Sequence, residues 1–433
     1  MRRIFSFIFF LFIFTASIAQ ESLSLNDAIS LALKNNYSIL IYANEQSIGA
    51  NNNTPGNAGM LPSVTAVGGF NETVNDLEQN YTDGRVIDRK GVQVTSANAG
   101  VSLDWTLFDG FRMFIAKNRL AEMAMRDTLE YKLEIENTIV DVIAGYFRVV
   151  QQQKLIGAID IIIAIDSERV VLAQTRLDVG SGARLDLLQA KVDLNEQVST
   201  KMRLVAGQAD NKDQVNYLLS RKPGTDFIVS DSIVITYQPS AEALRNSVAQ
   251  QNTSIQAAKS DQRISLLSWK ETKSLRYPWL DFYAGYNYNR SKSEAGFLLL
   301  NQTTGYNYGI SLGWNIFDGF NVTRQVKNAN LEYRNAEFRL QDLQLQVNIQ
   351  LEKALRDFDN NLDILALEEE NILLARENLE VAFERFRTGL SNSLELKNAQ
   401  LSFQDAEVRL VQAQYAAKVS EVSLMKLNGE LVK

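Results

Sequence analysis

The chain has 433 residues, with 44 Lys and Arg against 51 Asp and Glu for a formal charge of −7, and it contains neither His nor Cys. Without Cys there is no disulfide, thiolate metal site, Cys nucleophile or lipidated cysteine, and without His there is no imidazole base or imidazole metal ligand, so most hydrolase and metalloenzyme schemes lose their central residue. The acidic balance argues against nucleic acid as a partner, since phosphate recognition is built on clustered Lys and Arg.

The N-terminus carries Arg2 and Arg3, an apolar run from Ile4 to Phe14, then Ser17-Ile18-Ala19 before Gln20. A run this short does not span a bilayer as a helix, and its small-residue end reads as a cleaved signal peptide over 1–19 rather than a retained anchor. Loss of the two arginines would take the mature charge from −7 to −9. No later stretch has the ~18 consecutive apolar residues of a membrane-spanning helix, so a chain that enters a membrane must do so as a closed β-barrel.

Val64, Ala66, Gly68 and Phe70 alternate with other residues, and Ala97, Ala99, Val101, Leu103, Trp105 and Leu107 alternate with Asn98, Gly100, Ser102, Asp104 and Thr106. A period of two marks a strand with one apolar and one polar or small face, so strands are expected over about 61–72 and 92–107. The polar stretch 71–91 between them is expected to be an exposed loop tip. Trp105-Thr-Leu-Phe108-Asp109-Gly110-Phe111 ends the pair, with Asp-Gly turning the chain and Asp109 capping the helix that follows, a catalytic Asp being the minor reading.

All five prolines lie at 55, 62, 223, 239 and 278, so long helices are expected only in the proline-free tracts 63–222 and 279–433. The strong helix formers from Arg112 to Asp178 permit a helix of about 67 residues, on the order of 100 Å. Gly180-Ser-Gly182 then supplies a left-handed cap, and a return helix over about 185–219 completes a helical hairpin. Residues 220–240 join the halves, either as a plain linker or with short strands at Phe227-Ile-Val229 and Ile233-Val-Ile235.

The second half repeats the first. Trp314-Asn-Ile-Phe317-Asp318-Gly319-Phe320 stands 209 positions after its counterpart, and Arg176, Gly180, Leu185 and Ala190 return at the same interval as Arg385, Gly389, Leu394 and Ala399. Upstream the interval is 216: Asn36, Pro62, Gly69 and Asn71 match Asn252, Pro278, Gly285 and Asn287, so the first copy holds 7 more residues between 72 and 101. Insertions favour loops over ladders, which places these residues in a loop tip. The second copy is expected to have strands at about 278–289 and 304–317 around a tip at 289–304, then a helical hairpin over about 320–428 with its rod at 322–388 and its return at 394–427. Leu355, Phe358, Leu362, Leu365, Ile372, Leu379, Phe383 and Phe386 form an apolar stripe that needs a partner helix.

The domains are therefore the signal peptide 1–19, a first repeat 20–219, a linker 220–240 and a second repeat 241–433. Four strands cannot close in lipid, because small membrane barrels need about 8 or more. Three chains would supply twelve, with the helical hairpins gathered into a continuing tube. The alternative for these strands is a soluble sandwich whose apolar face is core.

On the duplicated Trp-x-(hydrophobic)-Phe-Asp-Gly-Phe motif, the two Arg-(x)3-Gly-(x)4-Leu-(Asp/Glu)-Leu hairpin tips and the paired strand hairpins, the chain resembles the TolC-like outer-membrane efflux proteins of Gram-negative bacteria, over about 23–427. The resemblance implies a mainly α protein with a membrane β-barrel: a homotrimer with a twelve-stranded barrel in outer-membrane lipid and a long α-helical tunnel in the periplasm. It implies a passive export duct of a tripartite efflux or type I secretion system, opened by a periplasmic adaptor protein and an inner-membrane transporter. It also implies a periplasmic aperture near the second tip. The first acidic ring position falls on Glu395, which keeps its carboxylate, and the second on Asn398, which does not. The arginine that locks the tip in the family's best-known member is replaced by Ser391. On the first hairpin Asp186 keeps its acid beside Gln189, and Arg184 is a candidate for the missing cation. Arg176, Gly180, Leu185, Arg385, Gly389 and Leu394 mark the hairpin tips that would meet the adaptor.

Three like charges at Glu395 around a narrow axis would repel one another and select cations. A competing function is a structural or adhesive coiled-coil envelope protein without a pore. An enzyme is not expected: the carboxylates Glu368-Glu369-Glu370 read as a solvated charge run, and neither a catalytic residue, a cofactor site nor a metal cluster accompanies them.

Overall fold

The computed structural model describes residues 21–295 and 298–432, so the signal peptide expected over 1–19 lies outside the described residues. The elements in chain order are β1 (Glu21–Leu23), α1 (Leu25–Asn35), α2 (Tyr37–Asn52), β2 (Ser63–Asn80), β3 (Val86–Phe108), α3 (Arg112–Asp178), α4 (Arg184–Leu218), β4 (Phe227–Val229), α5 (Ala241–Gln251), α6 (Thr253–Ser274), β5 (Trp279–Ser293), β6 (Leu300–Gly313), α7 (Asn321–Arg387) and α8 (Ser393–Leu427). The chain is mainly helical with a sheet part. Two helices of 67 residues, α3 and α7, are each followed by one of 35 residues, α4 and α8. Two compact units result, one of Met1–Leu40, Ile135–Asn246 and Gln350–Lys433, the other of Ile41–Glu134 and Ser247–Ile349.

The second unit holds a four-stranded antiparallel sheet in the order β2-β3-β5-β6. Its register sorts the side chains. Ala66, Val101, Tyr286 and Tyr306 oppose one another across the four strands, as do Val64, Leu103, Ala284 and Tyr308, and all belong to one apolar face. The other face carries Asn98, Gly100, Asn287, Asn307 and Gly309, with Asn287 Nδ2 donating to Asn307 Oδ1 at 2.8 Å. The apolar face is not core: Phe70, Tyr306, Tyr308 and Leu312 are each at least 71% exposed. A sandwich would bury that face, so the soluble-sandwich alternative fails.

The strands run further than the alternation of apolar residues indicated. β2 continues to Asn80 and β3 begins at Val86, so the turn is confined to 81–85, where Tyr81 N donates to Arg85 O at 2.9 Å. The seven extra residues of the first copy thus lengthen the ladder instead of enlarging a loop. Main-chain pairing does not require apolar side chains, and a bulge between Asn75 and Leu77 absorbs the mismatch, with Gly91 at φ +71° and its N–H on Asp76 Oδ1 at 2.9 Å. In the second copy β5 and β6 likewise extend to Ser293 and back from Leu300. β6 stops at Gly313, four residues short of the expected 317, because β5 begins opposite it at Trp279 and leaves 314–317 without a pairing strand.

The doubled motif builds the turn from strand to helix. Asp109 Oδ1 accepts from Met113 N at 3.1 Å and Asp318 Oδ2 from Val322 N at 2.7 Å, each supplying an orphan amide of the helix start. Trp105 Nε1 donates to Met60 O at 3.0 Å and Trp314 Nε1 to Arg276 O at 3.1 Å, which fastens the turn to the chain just ahead of β2 and β5. Gly110 has φ +71°, and a Cβ there would come within 2.7 Å of Ser274 O and of Tyr277 Cβ, so only glycine fits. The following Phe111 and Phe320 are also left-handed, at φ 67° and 64°, a conformation that costs a residue with a side chain roughly 1–2 kcal/mol.

The first unit has its core around Tyr146, where Leu23, Val142, Phe147, Val149, Val215, Leu219 and Phe227 are buried together. β1 and β4 pair in parallel across it. Segment 220–240 is therefore more than a plain linker, although only Phe227–Val229 is a strand and 233–235 is not. The Tyr146 hydroxyl lies 2.8 Å from both Leu23 O and Asp231 Oδ2, and burial, with the Asp231 carboxylate alongside, pushes this phenol up to about 12. The apolar stripe of α7 packs against α8 and α3: Ile372, Leu379 and Phe386 join Ile159, Ile162, Leu396, Ala399 and Phe403 in a second cluster.

Two further expectations change. Helices also form outside the two long tracts, with α6 alone 22 residues long, because the shorter stretches 1–54 and 240–277 contain no proline either, and Asn36 and Asn252 cap α2 and α6 there through their Oδ1 atoms. Glu368 is buried rather than solvated, its two oxygens each 3.1 Å from Arg409 Nε on α8, whereas Glu369 and Glu370 are exposed. Among the described residues no helix is long and apolar enough to cross a membrane.

Candidate functional site at the helical hairpin tips

Each helical hairpin turns on a left-handed glycine. Gly180 has φ +75° and Gly389 +78°, and the carbonyls of Arg176 and Arg385 accept from the residues just beyond, Ser181 N at 2.8 Å and Leu390 N at 2.8 Å. Asn392 restarts the second hairpin by accepting from Glu395 N at 2.9 Å, whereas Ala183 at the matching place offers no side-chain cap.

The two tips touch. Arg176 sits 5.3 Å above the Phe386 ring and donates from Nη2 to Phe386 O at 3.1 Å. A cavity of about 180 Å³ lies between them, bounded by Arg169, Arg176, Asp186, Phe386, Ser391 and Asn392. Ser391 Oγ is buried there without a hydrogen-bond partner. The guanidinium groups at this cavity come from α3, and the one that bridges the hairpins there is Arg176, which the sequence marked only as a tip residue.

Glu395 is exposed and pairs within its own hairpin, Arg385 Nε to Oε1 at 3.0 Å, with both side chains about half exposed at 51% and 45%. An exposed pair of this kind contributes about 0–1 kcal/mol and partly neutralises the carboxylate. Arg184, Asp186 and Asn398 are exposed, and Gln189 Nε2 donates to Asp193 Oδ1 at 2.9 Å. Leu185 and Leu394 stand out at 73% and 64% exposure, apolar surface at both tips.

Behind the tips lies a buried polar network that sequence reasoning missed. Arg169 donates from Nη1 to Asp166 Oδ1 at 3.2 Å and from Nη2 to Asp193 Oδ2 at 2.8 Å, joining α3 to α4. From α8, Lys397 Nζ reaches Asp193 Oδ1 at 3.0 Å and Gln400 Nε2 reaches Asp166 Oδ1 at 2.9 Å. Arg169, Asp166 and Asp193 are all at least 96% buried, so each charge depends on these partners. The two acids are driven in opposite directions. Burial pushes Asp166 up, only partly offset by Gln400 and Arg169. Burial pushes Asp193 the same way, but hydrogen bonds from Lys397, Arg169 and Gln189 outweigh it and hold that carboxyl below its ordinary value. One signal was available: 209 positions on, the matching residues are Ala375, Asn378 and Ser402, so these charges belong to the first copy alone. Among the described residues no group of three or more Asp or Glu is placed to hold a metal.

A family model described as outer membrane efflux protein matches residues 28–218 and 244–430. Outer membrane efflux protein BepC of Brucella suis biovar 1 (strain 1330) is 23% identical over 340 residues, which cover 78% of this chain and 73% of that protein. Outer membrane protein TolC of Vibrio cholerae serotype O1 (strain ATCC 39315 / El Tor Inaba N16961) is 21% identical over 425 residues, 96% of this chain and 93% of the relative. The fold is similar to that of the outer-membrane channel OprN, with a TM-score of 0.77 at 17% identity over 94% of this chain and 89% of that one. The Campylobacter jejuni CmeC outer membrane channel gives 0.79 at 15% identity, over 94% and 85%.

Proposed function

The chain belongs to the outer membrane efflux protein family, and from that membership we propose that three copies close a twelve-stranded barrel in outer-membrane lipid, each copy supplying its two strand hairpins and two helical hairpins as structural repeats. The chain is an outer-membrane duct of an efflux system, extending into the periplasm. One observation carries the trimeric reading: a sheet of four strands with unpaired edges at β2 and β6 and an exposed apolar face. Such edges are not tolerated in lipid unless another chain pairs with them, and such a face is not tolerated in water.

In this reading the helical hairpin tips form the periplasmic aperture, with Glu395 and Asp186 as its acidic lining and Asn398 and Gln189 at the next positions. A periplasmic adaptor docks on the tips through Leu185 and Leu394 beside Arg176, Gly180, Arg385 and Gly389, and an inner-membrane transporter supplies the energy. Arg184 contributes positive charge where Ser391 carries none. The experiment is a planar-bilayer recording on purified folded oligomer of measured mass. A trimer with a pore whose resting conductance rises in Glu395→Ala is expected, and a monomer or a pore-free oligomer overturns the proposal in favour of a structural envelope role.

A further inference from the structure

On the apolar face of the sheet, the column of β5 runs Leu280, Phe282, Ala284, Tyr286 and Tyr288 and then changes to Arg290 and Lys292. Pairing with β6 is unbroken from Trp279 to Lys292, so alternation keeps the whole column on that face. Both cations are exposed, and among the described residues neither side chain has an ion-pair or hydrogen-bond partner. The neighbouring strands turn polar at the same height. Gln302 shares the row of Arg290, and Glu72 and Thr95 share that of Lys292. Glu72, the acid in these rows, stands on β2 with β3 between it and β5, about 10 Å away and too far for an ion pair. Glu294 follows only past the end of the strand.

A neighbouring copy does not cover this column, because β5 is an inner strand flanked by β3 and β6, whereas copies would meet at β2 and β6. From Leu280 to Arg290 the strand runs about 33 Å, which at a tilt of about 40° rises about 25 Å, the height of the apolar band around an outer-membrane barrel. Arg290 therefore stands at the edge of the band farther from the helices, and Lys292 just beyond it. With the helices in the periplasm, that edge is the headgroup layer of the outer leaflet. A long cationic side chain at the rim of the hydrocarbon lays its stem on apolar surface and extends its charge to the headgroups. The guanidinium fork matches two oxygens of one phosphate, and the ammonium adds a second positive charge about 7 Å further along the strand.

We infer that Arg290 and Lys292 form a lipid-phosphate site on the outer wall of the barrel, and that its ligand is the phosphorylated glycolipid of the outer leaflet, whose lipid A part carries two phosphate groups. This rests on the barrel reading above, so the test separates the two. Full-length oligomer is first floated with phosphatidylethanolamine vesicles, and failure to float with them overturns the barrel and the site together. Binding of lipid A with both phosphates, of its fully dephosphorylated form and of phosphatidylglycerol is then titrated by native mass spectrometry of the oligomer. The parent is expected to bind the phosphorylated form at least ten-fold more tightly than either of the others. The double variant Arg290→Gln with Lys292→Gln should lose that preference, whereas Lys191→Gln with Lys327→Gln, which removes equal charge from exposed helix positions, should keep it. An oligomer that floats but shows no phosphate preference, or keeps it in the Arg290 and Lys292 variant, overturns the site. Phosphatidylglycerol bound as tightly as lipid A overturns the glycolipid as its ligand. If the double variant does not assemble, Lys292→Gln alone is expected to weaken lipid A binding several-fold, and undiminished binding overturns the site.

Discussion

At the scale of single residues, Arg169 is vulnerable to loss because it is 2% exposed and holds two buried carboxylates. Its two aspartates have no solvent to fall back on, so Arg169→Ala should cost about 3–5 kcal/mol, read as a drop in the denaturation midpoint of the folded oligomer. The pH dependence should split in sign. Asp166 has a folded value above its unfolded one, so the folded chain binds the extra proton first and gains stability as pH falls through that window, a gain that Asp166→Asn should abolish. Asp193 is held below its unfolded value, so its contribution is present above that value and is lost as pH falls through the folded one. Melting temperatures of Asp166→Asn and Asp193→Asn across the acid range should therefore diverge from the parent in opposite directions; parallel curves would mean that neither carboxyl titrates as described.

At the scale of elements, the strand-to-helix turn depends on a cap that occurs twice. Asp109→Ala and Asp318→Ala should each cost about 1 kcal/mol, measured as a shift in thermal midpoint, since each leaves a first-turn amide unpaired. This turn and the long helices beyond it were readable from sequence because proline-free runs of helix formers and an Asp-Gly pair act locally. The far ends of β2 and β3 were not, since Glu72, Asn75 and Glu78 pair through the main chain and leave no apolar alternation. Nor were α1, α2, α5 and α6, whose Asn36 and Asn252 caps were noticed as repeats and not as helix starts. Arg169 and its partners stayed hidden for a related reason: matching the two copies rewards what they share, and this network lies where they differ.

At the scale of the whole molecule, an isolated chain leaves the outer amides and carbonyls of β2 and β6 unpaired. If copies close on one another through these strands, amide exchange in the folded oligomer should be as slow along β2 and β6 as along β3 and β5. Fast exchange confined to the two outer strands would show an open sheet. The same comparison made after dissociation should release β2 and β6 first, because only their outer ladders depend on a second chain.

The unequal strand hairpins have a practical consequence. The first is longer than the second by extra paired rungs, and its turn at 81–85 is held closed by its own main-chain bonds, with Arg85 Nε on Asp83 Oδ2 at 2.8 Å. A foreign epitope spliced between Asp83 and Gly84 would hang from the turn of the longer hairpin. Antibody staining of intact cells should then reveal it, which turns the seven surplus residues into a handle for showing which way the protein faces.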